Sequence, residues 1–118
     1  MKRGEVHVAE LAPRSGSEQQ GRRPVIVVSH DGFNETPGWR SVIVVPLSTS
    51  TTQARRGPTA VPLPAGSGGL QRDSVALCHQ VTTLDRAKLT LRLGALPPED
   101  LRRVELGVRT ALGMRGEV

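Results

Sequence analysis

A pair of arginines just before an apolar strand is the part of this chain best suited to bind an anion. In residues 16–29, GSEQQGRRPVIVVS, a polar loop without apolar side chains leads through Arg23 into Pro24 and a β-branched run. The loop must lie on the surface, and the strand, which is apolar on both faces, must be buried. Pro24 favours an extended backbone at Arg23. The sequence therefore predicts a guanidinium fixed at the rim of the core, where it can hold a phosphate.

Two further polar groups follow apolar segments and could serve chemistry on a phosphate. Ser48 and Thr49 open the hydroxyl run of residues 48–52, and a hydroxyl can donate a hydrogen bond to a phosphate oxygen. The alternative interpretation of this run is a polar strand exit. His79 can exchange protons near neutral pH, which an arginine cannot do. The alternative for His79 is a strand residue that only packs.

Metal, disulfide and nucleotide sites have no support in the sequence. The three histidines lack the spacing of metal ligands, and Cys78 is the only cysteine. The glycine-rich run of residues 66–69 lacks the lysine and the helix of a phosphate loop. We therefore expect no cofactor. A lone cysteine is typical of a reducing compartment.

Composition describes a single basic domain over residues 1–118. The net charge is +5, the pI is about 11.0, and Lys2 and Lys88 are the only lysines among 16 basic residues. Arginine binds phosphate through a planar fork, so this bias favours nucleic acid or an acidic protein as the partner; a GC-rich genome is the other explanation. No signal peptide is visible, and no apolar run approaches the ~18 residues of a membrane span. We expect a cytoplasmic protein without membrane contact.

The elements that position these groups are mostly short strands. Apolar patterns predict strands over residues 5–11, 24–29, 41–47, 60–63 and 74–80, with 81–84 continuing around a corner and a last strand at 91–93. Pro62 restricts its strand to a sheet edge. Residues 30–34 and 85–88 are expected to form single turns, and residues 65–69 a flexible loop.

One long helix closes the chain. Prolines and acids at positions 97–100 suit its start, and Gly113 suits its end. Four apolar residues repeat between them at helical spacing: Leu101, Val104, Val108 and Leu112. Several short strands with one terminal helix predict a mainly β fold with α, a small curled barrel on which the helix packs.

Taken together, these segments resemble one family. The runs RGEV, GSEQQGRRPVIVVS, SVIVVPLSTS and GLQRDSVALCHQVTTLD, followed by an apolar helix, are similar to the MazF/PemK/Kid toxins of bacterial type II toxin–antitoxin systems. The resemblance extends from Arg3 to about Met114. It implies an SH3-like barrel of the CcdB/PemK type with a C-terminal helix, and a homodimer.

The same resemblance implies a function. Such proteins are metal-independent, sequence-specific endoribonucleases that cut single-stranded mRNA, and in some cases tRNA or rRNA, and so inhibit translation. The 2′-hydroxyl attacks the phosphate and leaves cyclic-phosphate and 5′-hydroxyl ends. A cognate antitoxin wraps the dimer with an acidic C-terminal segment, and through the antitoxin the toxin is linked indirectly to promoter DNA.

Roles for three catalytic positions follow from the resemblance. Arg23 matches the family's catalytic arginine, and charge stabilisation is its expected task because a guanidinium stays protonated near neutral pH and is a poor base; the alternative is a surface ion pair. The family's hydroxyl after the third strand matches Ser48, with Thr49 as the alternative. His79 stands where several members carry an acid. We interpret it as an acid or base, or as a group that orients Arg23.

Contacts with RNA are expected from the loop and from several polar side chains. Glu18 and Gln19 lie in the loop that closes over RNA in this family, where they either contact base edges or hold the loop by hydrogen bonds. Gln80 is expected to read a base edge, and Asp73 to tie a turn. Backbone attraction, with its salt dependence, is expected from three arginines: Arg55, Arg56 and Arg72.

Two other classes of protein share the predicted architecture. A CcdB-like toxin binds gyrase through a tryptophan close to its C-terminus, and a non-catalytic SH3-like module only binds. Trp39 and Phe33 are the only Phe, Tyr or Trp residues here, and both are distant from the C-terminus, which counts against the gyrase binder. The same scarcity leaves no extended stacking platform for bases. Trp39 is a candidate contact for a second copy or for the antitoxin.

Overall fold

Strands and two helices account for most of the described chain. The structure is a computed structural model and describes residues 1–11, 16, 18–50, 52–55 and 57–114; of Gln53 it describes the backbone. The strands are β1 Glu5–Glu10, β2 Arg22–Val27, β3 Ser41–Ser48, β4 Ala60–Leu63, β5 Ser74–Leu77, β6 Thr82–Asp85 and β7 Leu89–Ala95. The helices are the single turn α1 Asp31–Asn34 and the long α2 Pro98–Ala111. Short 3-10 turns lie at Gln53–Arg55, Ser67–Gly69, Cys78–Gln80 and Arg86–Lys88.

The sheet is organised around β3. Along one edge β3 pairs with β2, and along the other its first half pairs with β6 and its last two residues with β5. The strand order is β4-β5-β3-β2-β1-β7, and every pairing is antiparallel. The sheet therefore curls like a small barrel without closing, and the predicted fold class is confirmed. β4 lies at the end of this order, which confirms the edge position predicted from Pro62.

Two apolar clusters cover the two faces of the central strands. Ile26 and Val45 belong to a cluster that includes Val104 of α2, whereas Val25 and Val44 belong to a cluster on the other face. All five side chains are fully buried. Because successive residues of a strand point to opposite faces, burial on both sides explains the consecutive apolar residues at 25–27 in β2 and 44–45 in β3.

The predicted strand at residues 74–80 was too long. β5 ends at Leu77, where its ladder with β4 also ends, and Cys78–Gln80 forms a 3-10 turn. The turn packs beneath α2, where the Cys78 Sγ lies 3.5 Å from the carbonyl oxygen of Val104. This corner takes the chain from β5, beside the last residues of β3, to β6, beside its first half on the same edge, so the predicted change of direction after residue 80 is confirmed.

The glycine-rich segment at residues 65–69 is a packed turn, so the predicted flexible loop was wrong. Ser67 and Gly68 are buried, and the Ser67 hydroxyl donates to Asp100 of α2 at 2.6 Å. A Cβ built on Gly69 would lie 2.1 Å from the carbonyl oxygen of Leu93 in β7. Close approach to β7 therefore requires glycine here, and β7 is correspondingly longer than the predicted residues 91–93.

The terminal helix follows its predicted pattern with one exception. Val104 is fully buried, and Leu101 and Val108 are packed against the same cluster. Leu112 is 60% exposed, because it lies beyond the last turn of α2. Gly113 takes a left-handed conformation and ends the helix as predicted. None of the helices in the described ranges has both the length and the apolar character needed to cross a membrane.

Candidate active site

Arg23 lies within a strand rather than in the loop before it. β2 begins at Arg22, and Arg23 is paired opposite Ala9 of β1. The Arg23 side chain is exposed, and its Nε donates a hydrogen bond to the carbonyl oxygen of Gln20 at 2.9 Å. A strand backbone and one hydrogen bond thus restrict the guanidinium, whose two terminal nitrogens form the fork that suits a phosphate.

On β2, pairing with β3 starts only at Val25, so Arg23 and Pro24 lie outside the β2–β3 ladder. Its last pair is Val25 with Pro46, so a proline borders the ladder end on each strand. Proline has no N–H to donate, which explains why the strands separate at this point. Arg23 lies two residues beyond this pair on β2 and Ser48 two residues beyond it on β3, so the predicted cation and hydroxyls lie at the same end of the sheet.

The two candidate hydroxyls differ in accessibility. Ser48 is buried at the end of β3, and its Oγ accepts a hydrogen bond from the Ser50 backbone N–H at 3.1 Å. Thr49 is exposed and lines a groove of about 280 Å³ together with Pro24 and Arg72. Solvent, and hence a ligand in this groove, reaches Thr49 rather than Ser48.

Two glutamines connect the loop to the rest of the site. The Oε1 of Gln80 accepts a hydrogen bond from the Gln19 backbone N–H at 2.8 Å. The Nε2 of Gln19 donates to the carbonyl oxygen of Leu47 at 3.2 Å, directly before Ser48. The loop, the end of β3 and the Cys78–Gln80 turn are therefore brought together, and for Gln19 the loop-holding alternative is the one that the geometry matches.

His79 lies in the same turn as Gln80, and its side chain is exposed. His79 is thus an exposed turn residue and not a strand residue, and its role in the reaction stays a prediction. Next to it, burial raises the pKa of the Cys78 thiol to about 12. Cys78 is therefore a neutral thiol at physiological pH and does not serve as a nucleophile.

The remaining predicted contacts are spread around this end of the sheet. Glu18 is exposed in the loop, and Arg72 is exposed on the groove shared with Thr49. Arg55 is exposed on the 3-10 turn that packs on β4 and β5, whereas Arg56 lies outside the described residues. Asp73 accepts a hydrogen bond from the Ala65 backbone N–H at 2.9 Å, which confirms that it ties a turn.

A second groove of about 460 Å³ adjoins the first, and Thr49 lines both. One of its walls includes Arg103 of α2, whose Nη2 donates to the carbonyl oxygen of Pro62 at 2.5 Å. Sequence reasoning missed Arg103, because its position in the helix resembles that of any solvent-facing arginine. Its contact with the edge strand depends on the packing of α2, which no local pattern reveals.

The aromatic residues lie away from this site. The rings of Phe33 and Trp39 contact each other with centroids 4.9 Å apart, just before β3 begins. Arg23 and Ser48 lie at the other end of β3, which is about 23 Å away at 3.3 Å per residue. Trp39 is therefore not part of the candidate site, and no group of three or more His, Cys, Asp or Glu side chains in the described ranges is arranged to hold a metal.

Comparison with known proteins identifies the family. Residues 2–112 match the family described as the PemK-like, MazF-like toxin of type II toxin–antitoxin systems. The chain belongs to this toxin family. Endoribonuclease EndoA of Bacillus subtilis is 35% identical to it over 114 residues, which cover 97% of this chain and 96% of that protein.

Solved structures of the MazF-like toxins share the fold. MazF from Deinococcus radiodurans superimposes with a TM-score of 0.78 at 29% identity, and the alignment covers 97% of each chain. A chain of a MazE–MazF structure from the same organism gives a TM-score of 0.73 at 28% identity, covering 98% of this chain and 97% of the other. The curled sheet with its terminal helix is therefore the architecture of MazF.

Proposed function

We propose that this MazF-like toxin is a metal-independent, sequence-specific endoribonuclease that cuts single-stranded RNA through the neighbouring 2′-hydroxyl. Family membership and the similarity to a protein named as an endoribonuclease support the activity. The observation that carries the mechanism is the placement of Arg23, which is exposed, held at Nε, and directly precedes Pro24 on the groove that Thr49 lines. Inhibition of translation by cleavage of mRNA, with tRNA or rRNA as further substrates, is the expected consequence.

The reaction needs no external nucleophile. The 2′-oxygen forms a bond to phosphorus while the bond from phosphorus to the 5′-oxygen of the next nucleotide breaks. The 2′-hydroxyl proton passes to a base, and the leaving 5′-oxygen takes a proton from an acid. The phosphorus centre gains negative charge as it becomes crowded, and the task of Arg23 is to neutralise that charge through its terminal nitrogens.

The other groups of the site have complementary tasks. Thr49, the accessible hydroxyl, donates to a phosphate oxygen, and Ser48 supports the strand exit through its bond with Ser50. His79 is exposed in the turn that carries Gln80, and an imidazole exchanges protons near neutral pH. We assign His79 one of the two proton transfers. Arg72 on the groove and Arg55 beside it attract the RNA backbone.

The partners follow from the family. A cognate antitoxin with an acidic C-terminal segment is expected to cover this basic end of the sheet and exclude RNA, and the arginine-rich composition supports such a contact. Through the antitoxin the toxin is expected to reach promoter DNA. The active species is expected to be a homodimer.

Cleavage of a mixed-sequence RNA in EDTA tests the proposal. The wild-type protein should give discrete fragments with 5′-hydroxyl and cyclic-phosphate ends. Arg23→Ala should lower the rate by about 10²–10³-fold, the usual cost of removing a preorganised charge-stabilising group. Arg23→Lys, which keeps the charge but loses the fork, should fall between the two. Intact RNA with wild-type protein would overturn the activity.

Control variants separate the site from general charge. Arg102→Ala removes an exposed arginine from α2 and should leave the rate within about twofold. If Arg102→Ala and Arg23→Ala lower the rate equally, the loss reflects net charge and the assigned role of Arg23 is wrong. His79→Ala, assayed beside them over a range of pH, should flatten one limb of the pH–rate profile. An unchanged profile removes the proposed proton transfer.

A further inference from the structure

The side chain of Gln80 is hydrogen-bonded to the backbone of a segment distant in sequence. Its Oε1 accepts the backbone N–H of Gln19 at 2.8 Å, across 61 residues of sequence. Gln19 in turn donates from Nε2 to the Leu47 carbonyl oxygen at 3.2 Å. These two bonds fasten the loop before β2 both to the Cys78–Gln80 turn and to the end of β3.

The fastened segment is the one that orients the candidate catalytic arginine. The carbonyl of Gln20, the residue after Gln19, accepts the hydrogen bond from Arg23 Nε at 2.9 Å. The following residue, Gly21, has φ +77° and its carbonyl accepts from the Leu11 backbone N–H at 2.9 Å, which fixes the far side of this segment. The position of the Gln20 carbonyl, and with it the plane of the guanidinium, therefore depends on where Gln19 is held.

We propose that Gln80 is a positioning residue for RNA cleavage. Its side-chain oxygen sets the Gln19–Gln20 segment, and the Gln20 carbonyl sets the Arg23 guanidinium against the scissile phosphate. This inference rests on the endoribonuclease function proposed above. It competes with the expectation that Gln80 reads a base edge, because the oxygen that a glutamine would use for bidentate contact with adenine already accepts a hydrogen bond from Gln19.

The two roles require different atoms, and this difference defines the test. Positioning needs only an acceptor at the end of the side chain, whereas bidentate reading of a base needs the NH₂ donor as well. Gln80→Glu keeps an acceptor and loses the donor, and Gln80→Met keeps the length and loses both. Arg102→Met introduces the same side chain at an exposed position of α2 that lines neither groove of the candidate site, and it is the control.

Single-turnover and steady-state cleavage should separate these variants. Gln80→Met should lower kcat by about ten- to hundredfold with KM within about threefold, because a misplaced catalytic group costs rate more than ground-state binding. Gln80→Glu should recover most of kcat, and Arg102→Met should match the wild type. Sequencing of the cleaved ends should show the same preferred sequence for wild type and Gln80→Met.

Each other outcome contradicts the inference. Wild-type protein that leaves RNA intact removes the proposed function, and the positioning role with it. If wild type cuts and Gln80→Met cuts equally fast, only the positioning role is overturned. Loss of activity in Gln80→Glu together with a changed cleavage sequence assigns Gln80 to base reading instead. Gln19→Met, which removes the bond to Leu47 on the same loop, should reproduce the kcat loss if Gln80→Met fails to fold.

Discussion

At the scale of single residues, some charged side chains of this protein are paired with opposite charges inside the fold, whereas others are exposed to solvent. Arg23 is exposed, and its hydrogen bond to the Gln20 carbonyl is made to a neutral acceptor, so its charge remains for a ligand. Glu5 in β1 is the opposite case. It accepts from His7 Nε2 at 2.9 Å and lies 3.5 Å from Nε of Arg92 in β7, largely buried. The exposed Arg23 is therefore suited to bind a ligand, whereas the ion-paired Glu5 contributes to the stability of the fold.

Glu5 makes the stability of the fold depend on acid pH. Burial alone would raise the pKa of its carboxyl, but the hydrogen bond from His7 and the charge of Arg92 outweigh burial and lower that pKa below its ordinary value of 4.5. A depressed carboxyl pKa contributes free energy of unfolding above the unfolded-state pKa, and this contribution disappears as the pH falls through the folded-state pKa. Glu5→Gln should therefore weaken the protein near neutral pH, by about 1–2 kcal/mol.

Urea unfolding at several pH values measures this contribution. The difference in unfolding free energy between wild type and Glu5→Gln should be largest near neutral pH and should shrink as the pH is lowered below the ordinary glutamate range. Glu99→Gln, at an exposed position in the first turn of α2, is the control and should lose clearly less than Glu5→Gln, because an exposed carboxylate at a helix N-terminus contributes only about 0.3–1 kcal/mol. A Glu5→Gln deficit that is the same at all pH values would assign the effect to packing instead of charge.

At the scale of elements, the Ser67–Gly69 turn shows how a short segment can be specified by a distant strand. Gly69 has φ +79°, and its Cα lies so close to β7 that an added Cβ would meet the Leu93 carbonyl. Gly66 has φ +96°, but nothing lies within 4 Å of its added Cβ. The two glycines therefore share the left-handed backbone and differ in the contact with β7.

Paired alanine substitutions separate backbone strain from the contact. Gly66→Ala should cost about 1–2 kcal/mol, the strain of a left-handed non-glycine residue. Gly69→Ala adds a backbone clash and should cost clearly more, because the turn must move away from β7. Both changes restrict the unfolded chain equally, so the difference reports the folded state. Equal losses of unfolding free energy in thermal or urea denaturation would show that the turn moves away from β7 without further destabilising the fold.

The same turn shows which elements could be predicted from the sequence. Apolar runs and one proline predict four of the strands: β1, β2, β3 and the edge strand β4. Prolines and acids at its start, apolar residues at helical spacing and a terminal glycine predict α2. Composition alone suggested a flexible loop at residues 65–69, because the contact that orders it joins Gly69 to Leu93, a pair distant in sequence. The strand prediction at residues 74–80 erred for a related reason. Its apolar run continues through a corner at which the chain leaves the last residues of β3 and turns to pair with its first half.

For the candidate site, family resemblance went further than local pattern. The resemblance singled out Arg23, Ser48 with Thr49, and His79, and the structure brings Arg23 to the strand end that carries both hydroxyls. The roles of these residues remain predictions. The bond between Gln19 and Gln80 could not be predicted, because 61 residues separate the two and either amide also suits a base edge.

At the scale of the whole molecule, two of the exposed large apolar side chains share one groove. Ile43 of β3 is 42% exposed and Leu112 after α2 is 60% exposed, and both line a groove of about 280 Å³. The groove also includes Val28 and Val81 and is flanked by the salt bridge from Arg3 to Glu105 at 2.8 Å. Scattered apolar side chains are normal on a surface, but an apolar groove rimmed by charges is typical of an interface.

We expect this face to hold a second copy of the chain, in line with the homodimer that the family resemblance implies. A charged side chain buried in an apolar interface without a partner costs several kcal/mol, so Ile43→Glu and Leu112→Glu should convert a dimer to a monomer. Leu91→Glu is the matched control, because Leu91 is 55% exposed on β7 and is not part of this groove. Light scattering after size-exclusion chromatography measures the mass of each variant, and circular dichroism checks that it folds. A folded Ile43→Glu protein that keeps the wild-type dimer mass would place the interface elsewhere, whereas loss of the dimer in Leu91→Glu alone would place it on β7.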